Sequence, residues 1–359
     1  MTYASGPYGY GYPPPPPPPK PGVIPLAPLG FGDILTGAFA TYGRYWKPLV
    51  GVAVAAYAAA AALIGAALLV AWVAVEDDVQ RLIAMPDGQS PDFSDVQPLI
   101  VAFVCVWLVA MVVYVVSSGL VFAAAPAVVQ EAVLGRPIGF GAVWRRAWSR
   151  LGAVIGSVFL AMLATLVPML LFMVGFGVLM AAMFASLASS EGSRTDDGSG
   201  LAVVGVLIFV GALALLPLAL WLWIKFSLAP TVAVIEDQGP MASLRRSSAL
   251  VKGSWWRVFG CTIATAMMVG MAVGLIQQVI SQIGAIPMAT IDLSAEPTPG
   301  EVFAAFGGLM VVLVIGQLVV QAVAAPFQPL VSSLLYVDQR IRRENLAQLL
   351  AQTAATPAP

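Results

Sequence analysis

The chain has 359 residues, of which 60% are hydrophobic and only 10% are charged, and its 17 Lys and Arg residues nearly balance its 18 Asp and Glu residues. Soluble globular domains carry about 25% charged residues, so this composition excludes an ordinary soluble domain. Histidine is absent, which excludes the enzyme classes that depend on it as general base, proton shuttle or metal ligand.

Residues 1–28 are rich in Tyr, Gly and Pro and include seven consecutive prolines, Pro13 to Pro19. Such a run favours an extended polyproline II conformation without a packed core, so we expect a disordered cytoplasmic tail. The tail is either a spacer or a ligand for the aromatic groove of a partner. It lacks the pattern of a cleavable signal peptide, so the first span is expected to direct insertion.

Six long apolar stretches follow the tail, and each reaches the roughly 20 residues that a helix needs to cross a bilayer core. None contains an acid in its middle. They lie at about residues 48–75, 98–125, 151–188, 201–229, 255–286 and 302–336. The sequence therefore predicts an all-α, polytopic membrane protein with six transmembrane helices.

The charges between these stretches are sorted by side. All Lys and Arg residues except Arg81 and Arg194 lie on the side of the N-terminus. The opposite connections carry most of the acids: Glu76, Asp77, Asp78, Asp87, Asp92, Asp95, Glu191, Asp196, Asp197, Asp292, Glu296 and Glu301. Basic loops stay preferentially in the cytoplasm, so we expect a multi-pass protein of the plasma (inner) membrane with both termini cytoplasmic. The acids either enforce this orientation or hold a cation loosely.

A pattern of one amphipathic helix followed by two spans recurs three times, at about residues 30–138, 139–238 and 239–343. These units form a predicted membrane domain over residues 29–343, followed by a cytoplasmic tail at 344–359. Each amphipathic helix is expected to lie in the cytoplasmic interface with its apolar face on lipid. Those faces contain Ile34, Ala38, Tyr45, Val143, Trp144, Ala147, Leu151, Met241, Leu244 and Val251.

The basic faces of these helices are the strongest candidates for a functional site. Held at the depth of anionic headgroups, each cation contributes about 1 kcal/mol to lipid attraction. The candidate lipid-contacting residues are Arg145, Arg146, Arg150, Arg245, Arg246, Lys252 and Arg257. Two interpretations stay open, because orientation and anchoring alone would require the same residues as a specific lipid or partner site.

The even-numbered spans each reach a proline near their basic-side ends, at Pro126, at Pro230 and at Pro326 with Pro329. Proline removes a helical hydrogen bond and clashes with the preceding turn, so these long helices are expected to kink. The kinks are either bends satisfied by neighbouring helices or gating hinges.

The polar groups within the last two spans are mainly amides. Gln278 and Gln282 share a helical face in the fifth span, as do Gln317 and Gln321 in the sixth. They either form hydrogen bonds between the two helices or line a route for a polar solute. Gly152 with Gly156, and Gly270 with Gly274, have the spacing of close helix contacts.

No recognisable catalytic or cofactor motif is present. Cys105 and Cys261 lie in separate apolar stretches and are expected to be small packing residues rather than a redox pair. A phosphate-binding loop, a dinucleotide fingerprint and a paired-cysteine metal motif are all missing. We therefore predict no catalytic residue, no cofactor and no metal.

Several motifs resemble the glycerophosphoryl diester phosphodiesterase membrane domain and its proline-tailed actinobacterial relatives of unassigned function. They are Ile24-Pro25-Leu26 with Pro28-Leu29-Gly30, Asp33-Ile34-Leu35 with Gly37-Ala38-Phe39, Ala229 to Ala233, Leu244 to Ser247, Lys252 to Arg257, and Leu335 to Arg340. The resemblance covers residues 24–343. In that family the membrane part can be fused to a catalytic barrel; the barrel is missing here, so the resemblance implies no catalysis.

These observations predict an accessory or scaffold domain that engages lipid headgroups, with anionic ones expected, or a membrane partner, and no nucleic acid. The alternative is a small transporter for an amphiphilic or lipid-related solute. An enzyme that acts on lipid is a third and less favoured hypothesis.

Overall fold

The computed structural model describes residues 22–25, 27–85, 91–190, 197–289 and 299–344, and these residues form ten helices and no strand. The predicted tails up to residue 21 and after Glu344 lie outside the described residues, as do Arg194 and the acids Asp87, Glu191, Asp196, Asp292 and Glu296. The helices are α1 (Phe31–Ile83), α2 (Phe93–Val133), α3 (Phe140–Ser190), α4 (Asp197–Leu213), α5 (Leu215–Phe226), α6 (Ala229–Ile235), α7 (Pro240–Val251), α8 (Trp255–Ala289), α9 (Pro299–Ala324) and α10 (Phe327–Glu344).

Six helical stretches within the described residues are long and apolar enough to cross a membrane. They are Phe31–Ile83, Phe93–Val133, Phe140–Ala185, Val203–Ile235, Trp255–Ile286 and Ala305–Glu344. The predicted all-helical, multi-pass membrane class is therefore confirmed. Consecutive spans pack as hairpins: α1 on α2, α3 on α4 and α5, and α8 on α9.

The protein core lies at one end of this bundle, which we call the basic end: the end where α1 and α3 begin and α2 and α10 finish. Its largest cluster draws side chains from most helices, including Ile34, Leu49, Val128, Val143, Val232, Leu250, Val258 and Leu334. In the far halves of the spans, by contrast, apolar side chains point outward on all sides. In α2, Val101, Phe103, Val104, Leu108 and Val112 are all exposed, as suits helices surrounded by lipid.

The three predicted amphipathic segments are all helical. The first precedes its span across a kink within α1, the second forms the first turns of α3, and the third is a separate helix, α7. Ile34, Val143 and Leu244 of their apolar faces are buried in the core. The predicted contact with lipid is wrong for these three residues, because they pack on one another's helices and on α10 at the basic end and bury their apolar area on protein. Phe140, Trp148 and Met241 of the same faces are exposed.

The structure places helix breaks at two of the three predicted proline sites. Ser227 and Leu228 separate α5 from α6, so that Pro230 occupies the first turn of α6. Residues 325–326 separate α9 from α10, and Pro329 lies in the first turn of α10. At the third site, α2 continues as a helix through Pro126 to Val133.

The structure also shows an irregularity in α1 that we did not predict from sequence. Tyr45 has non-helical dihedral angles, φ −116° and ψ 25°, and Pro48 lies one turn later in the same helix. A proline ring clashes with the carbonyl group four residues earlier, which accounts for the deviation at this point. The amphipathic part of α1 thereby turns relative to its span.

The predicted hydrogen bond between the fifth and sixth spans is present, but on α8 it is made by Gln277 and not by Gln278 or Gln282. The Nε2 group of Gln277 donates to Oε1 of Gln317. Gln278 and Gln282 are exposed on α8, whereas Gln321 is half-buried on α9. The hydrogen bond between the two spans is thus made by the neighbour of the predicted residue.

Only one of the four glycines with helix-contact spacing approaches another element closely. A Cβ atom on Gly156 would lie 2.6 Å from Cγ of Pro240 in α7, whereas Gly152, Gly270 and Gly274 face open space. Gly156→Ala should therefore destabilise the fold by about 1 to 3 kcal/mol through overpacking. Gly152→Ala should be neutral or stabilise by up to about 1 kcal/mol, because alanine is the better helix former.

Unfolding of the two glycine variants can be measured through the thiol of Cys261, which is 3% exposed in the core. In detergent, a maleimide dye reports unfolding when it reaches Cys261, and Cys105→Ser in every variant removes the reaction of the exposed thiol. Gly156→Ala should lower the unfolding temperature and Gly152→Ala should not. Equal shifts for the two variants would contradict the close α3–α7 contact.

Candidate functional site

A polar cleft opens at the basic end between α3 and two connecting segments. Its volume is about 480 Å³. The lining residues come from the end of α2, the α2–α3 connection, α3 and the α6–α7 connection: Glu131, Pro137, Ile138, Ala142, Arg145, Arg146, Ser149, Arg150 and Asp237. Three of the predicted lipid-contacting arginines therefore meet in one cavity.

The periodicity of α3 explains why these arginines share one face. Val143 and Ala147 are fully buried in the core and Leu151 nearly so, and this spacing follows one side of a helix. Arg145, Arg146 and Arg150 fall on the remaining side, which faces the cleft. The same burial that anchors α3 to the core thus presents its cations to the cavity.

One of the three arginines is held by a counter-ion across the cleft. The Nη2 atom of Arg150 lies 2.7 Å from Oδ1 of Asp237, and its Nη1 group donates to the carbonyl oxygen of Asp237 at 3.3 Å. Asp237 has a φ of 55°, in the left-handed region where Asp is more tolerated than most residues. Arg150 therefore fixes the α6–α7 connection to α3.

Arg145 and Arg146 keep their charge available to the cleft. Neither forms an ion pair with any residue in the described part of the chain. The Nε atom of Arg146 is buried, yet no described group accepts a hydrogen bond from it. Because an unsatisfied buried donor is costly, this atom favours a ligand with an acceptor oxygen.

Two other predicted lipid-contacting residues are engaged inside the protein instead. Arg246 donates through Nε to Oε1 of Glu236 at 2.9 Å, and its Nη2 atom lies 2.5 Å from Oε1 of Glu344. Burial alone would lower the pKa of Arg246, but the hydrogen bonds and charges of Glu236 and Glu344 raise it above its ordinary value, so the guanidinium stays charged. Tyr336 also donates to Oε1 of Glu236, at 2.6 Å.

Arg257 is the second engaged residue, and its partner is a fully buried carboxylate. Its Nη2 atom lies 3.0 Å from Oδ2 of Asp338, while Oδ1 accepts from Nε of Arg342 and from the backbone N–H of Leu29, both at 2.9 Å. The carbonyl oxygen of Leu29 in turn accepts from both arginines. Asp338 thus joins the segment before α1 to α8 and α10.

The remaining predicted residues lie outside the cleft. Arg245 and Lys252 are exposed at α7, where Arg343 donates to the carbonyl oxygens of Ala249 and Lys252 and so caps the last turn of that helix. The candidate glutamines and prolines do not line the cleft. In the described part of the chain no group of three or more Cys, Asp or Glu side chains is arranged to hold a metal ion.

We did not predict the roles of Glu131, Glu236, Asp237 and Asp338 from sequence. A signal was present, because these are acids on the side of the membrane where basic residues dominate. Acids that occur there against the charge sorting are candidates for ion-pair partners or site residues.

The chain matches the family described as a domain of unknown function, DUF7847, over residues 145–338. This is more than half of the 359 residues, so the protein belongs to that family. The matched region begins at an arginine of the cleft and ends at the buried carboxylate of Asp338. No curated protein and no solved structure matches the chain.

Proposed function

We propose that this DUF7847 protein is an accessory membrane domain that holds the phosphate group of a lipid in the Arg145–Arg146–Arg150 cleft and performs no catalysis of its own. Arg145 and Arg146, which line the cleft without an ion-pair partner among the described residues, carry the proposal. Guanidinium groups bind phosphate oxygens through charge-assisted and often bidentate hydrogen bonds. A phosphate in the cleft would balance the charges of Arg145 and Arg146.

The aromatic residues beside the cleft support a lipid as the source of the phosphate. Phe140 and Trp148 are exposed on α3, and each packs on Trp144 with ring centroids 5.8 and 6.0 Å apart. The indole rings of Trp144 and Trp148 are amphipathic, and such rings are enriched at the headgroup level of membranes. The positive-inside rule would then place the cleft at the cytoplasmic leaflet of the inner membrane, where anionic lipids attract basic residues.

The hairpin architecture supports two further parts of the proposal. Each of the three hairpins is introduced by an amphipathic segment, in α1, α3 and α7, as the three helix-span-span repeats require. The motif residues Leu29, Arg257 and Asp338 meet in one cluster, so the resemblance to the phosphodiesterase membrane domain rests on residues that hold the core together.

Gln278 and Gln282 are exposed, and within the described residues they do not face Gln317. We therefore base no transport route on these glutamines.

Native mass spectrometry of the protein with an anionic phospholipid tests the proposal. The double variant Arg145→Gln, Arg146→Gln should bind the lipid at least about tenfold more weakly, since charge-assisted hydrogen bonds contribute about 1.5 to 3 kcal/mol each. The double variant Arg245→Gln, Lys252→Gln is the matched control, because it also removes two positive charges from the basic end, at exposed residues outside the cleft. An equal loss in both proteins would show general electrostatic attraction and would overturn the proposed site.

A further inference from the structure

We infer that the cleft selects a phosphate ester that also carries a primary ammonium group, as in the headgroup of an aminophospholipid. This inference rests on the proposed function and names the class of ligand. It comes from the acids of the cleft, which a site for a purely anionic phosphate would not need.

The lining combines three cations with two carboxylates, Glu131 and Asp237. The carboxylate of Asp237 is engaged by Arg150. Glu131 forms no ion pair with any residue that the structure describes, and neither do Arg145 and Arg146. Two cations and one anion therefore remain for a ligand, which matches the opposite charges of a phosphate group joined to an ammonium ion.

The position of Glu131 strengthens this assignment. It lies in the last turn of α2, which ends at Val133. The C-terminus of a helix carries a partial negative charge, so cations are favoured there and an acid is disfavoured. An ammonium group bound at Glu131 would be attracted by both the carboxylate and the helix end.

The unpaired charges of opposite sign come from two different helices of the same lining. The free arginines belong to α3, whereas Glu131 belongs to α2. The α2 end is held in place, because Nε2 of Gln130 donates to the carbonyl oxygen of Ile235 at 3.2 Å. A phosphate on the α3 side would place an attached aminoalkyl group toward α2, whereas a second negative group there would be repelled by Glu131.

Two pairs of probes test the inference and distinguish the sources of the ligand. The soluble pair is phosphoethanolamine and glycerol 3-phosphate; the lipid pair is phosphatidylethanolamine and phosphatidylglycerol in nanodiscs. The wild-type protein should prefer the amine in at least one pair by about tenfold. A preference in both pairs indicates the headgroup chemistry alone, and a preference confined to the lipid pair indicates a membrane lipid as ligand; both outcomes support the inference.

Glu131→Gln should abolish the preference while phosphate binding is retained, and Glu131→Lys should reverse it in favour of glycerol 3-phosphate. Asp33→Asn is the matched control and should keep the preference, because it removes an exposed acid of the basic end that does not line the cleft. Reactivity of Cys261 verifies that each variant is folded. No preference in wild type, or a preference that survives Glu131→Gln, would overturn the inference. Retained binding of every probe by the Arg145→Gln, Arg146→Gln variant would instead overturn the proposed function.

Discussion

Asp338→Asn should destabilise the protein by about 3 to 5 kcal/mol, the cost of removing one partner from a buried ion pair. Asp338 is fully buried, and its carboxylate accepts hydrogen bonds from Arg257, Arg342 and the N–H group of Leu29. The amide of Asn cannot neutralise two partly buried guanidinium groups, and its NH₂ group would face donors. The loss should therefore reach both the core and the segment that precedes α1.

Two measurements follow from this geometry. The reaction of Cys261 with a maleimide dye should begin at a lower temperature in Asp338→Asn. Hydrogen exchange should accelerate at Val23 and Leu29, whose N–H groups donate to Ala132 and Asp338. Asp78→Asn is the control, because Asp78 pairs at 3.0 Å with an Arg81 side chain that is 74% exposed. Such a surface pair contributes about 0 to 1 kcal/mol, so equal destabilisation by the two changes would contradict the role of Asp338.

The number and type of the spans could be predicted because lipid imposes a simple constraint on sequence. A chain that crosses the bilayer must have about 20 apolar residues in helical form. The limits of the helices could not be predicted in the same way. The apolar stretch at 48–75 marks the part of α1 that suits the bilayer, whereas the helix after the kink at Tyr45 continues to Ile83. A helix has no physical reason to end where its hydrophobicity does.

The surface that each amphipathic helix contacts could not be predicted from its own sequence. Val143 and Leu244 follow the helical period, but that pattern states only that one face avoids water. Lipid and protein satisfy this requirement equally. The structure shows protein on that face because α10, whose apolar side includes Leu330 and Leu334, packs into the same core.

For the candidate site, the face that the arginines share could be predicted from sequence, but their ion-pair partners could not. The positions of Arg145, Arg146 and Arg150 on one face of a helix follow from their spacing, and the structure brings them together. The ion pairs of Arg246 and Arg257 involve Glu236 and Asp338, and the second pair joins residues far apart in the chain. Charge sorting reports the side of the membrane on which a residue lies, but it contains no information on its partner.

The sequence also could not predict that Gln277, and not Gln278, would contact α9. Adjacent residues in a helix differ by about 100° in direction, so a small rotation of α8 decides which one faces α9. Packing of the whole helix sets that rotation, and the single contact with Gln317 reports the result.

Glu236→Gln should destabilise the protein by about 1.5 to 3 kcal/mol, the range for hydrogen bonds to a charged group. Glu236 accepts from Arg246 and from the hydroxyl group of Tyr336, and its side chain is 14% exposed. Neutralising Glu236 weakens both interactions, although Glu344 still pairs with Arg246. Because the network joins α7 to α10, its loss should loosen the basic end and expose Cys261 to the dye at lower temperature.

A double-mutant cycle with Tyr336→Phe separates the contact from general damage to the core. Residues that share a hydrogen bond couple by about 0.5 to 3 kcal/mol, and the Tyr336 hydroxyl lies 2.6 Å from Glu236. The double variant should therefore be less destabilised than the sum of the single variants. Asp237→Asn, which alters the adjacent and 52% exposed carboxylate, should change stability by less than about 1 kcal/mol. Additive losses from Glu236→Gln and Tyr336→Phe would mean that the buried network contributes through packing alone, and that the acids of the basic end are not the contacts that hold α7 to α10.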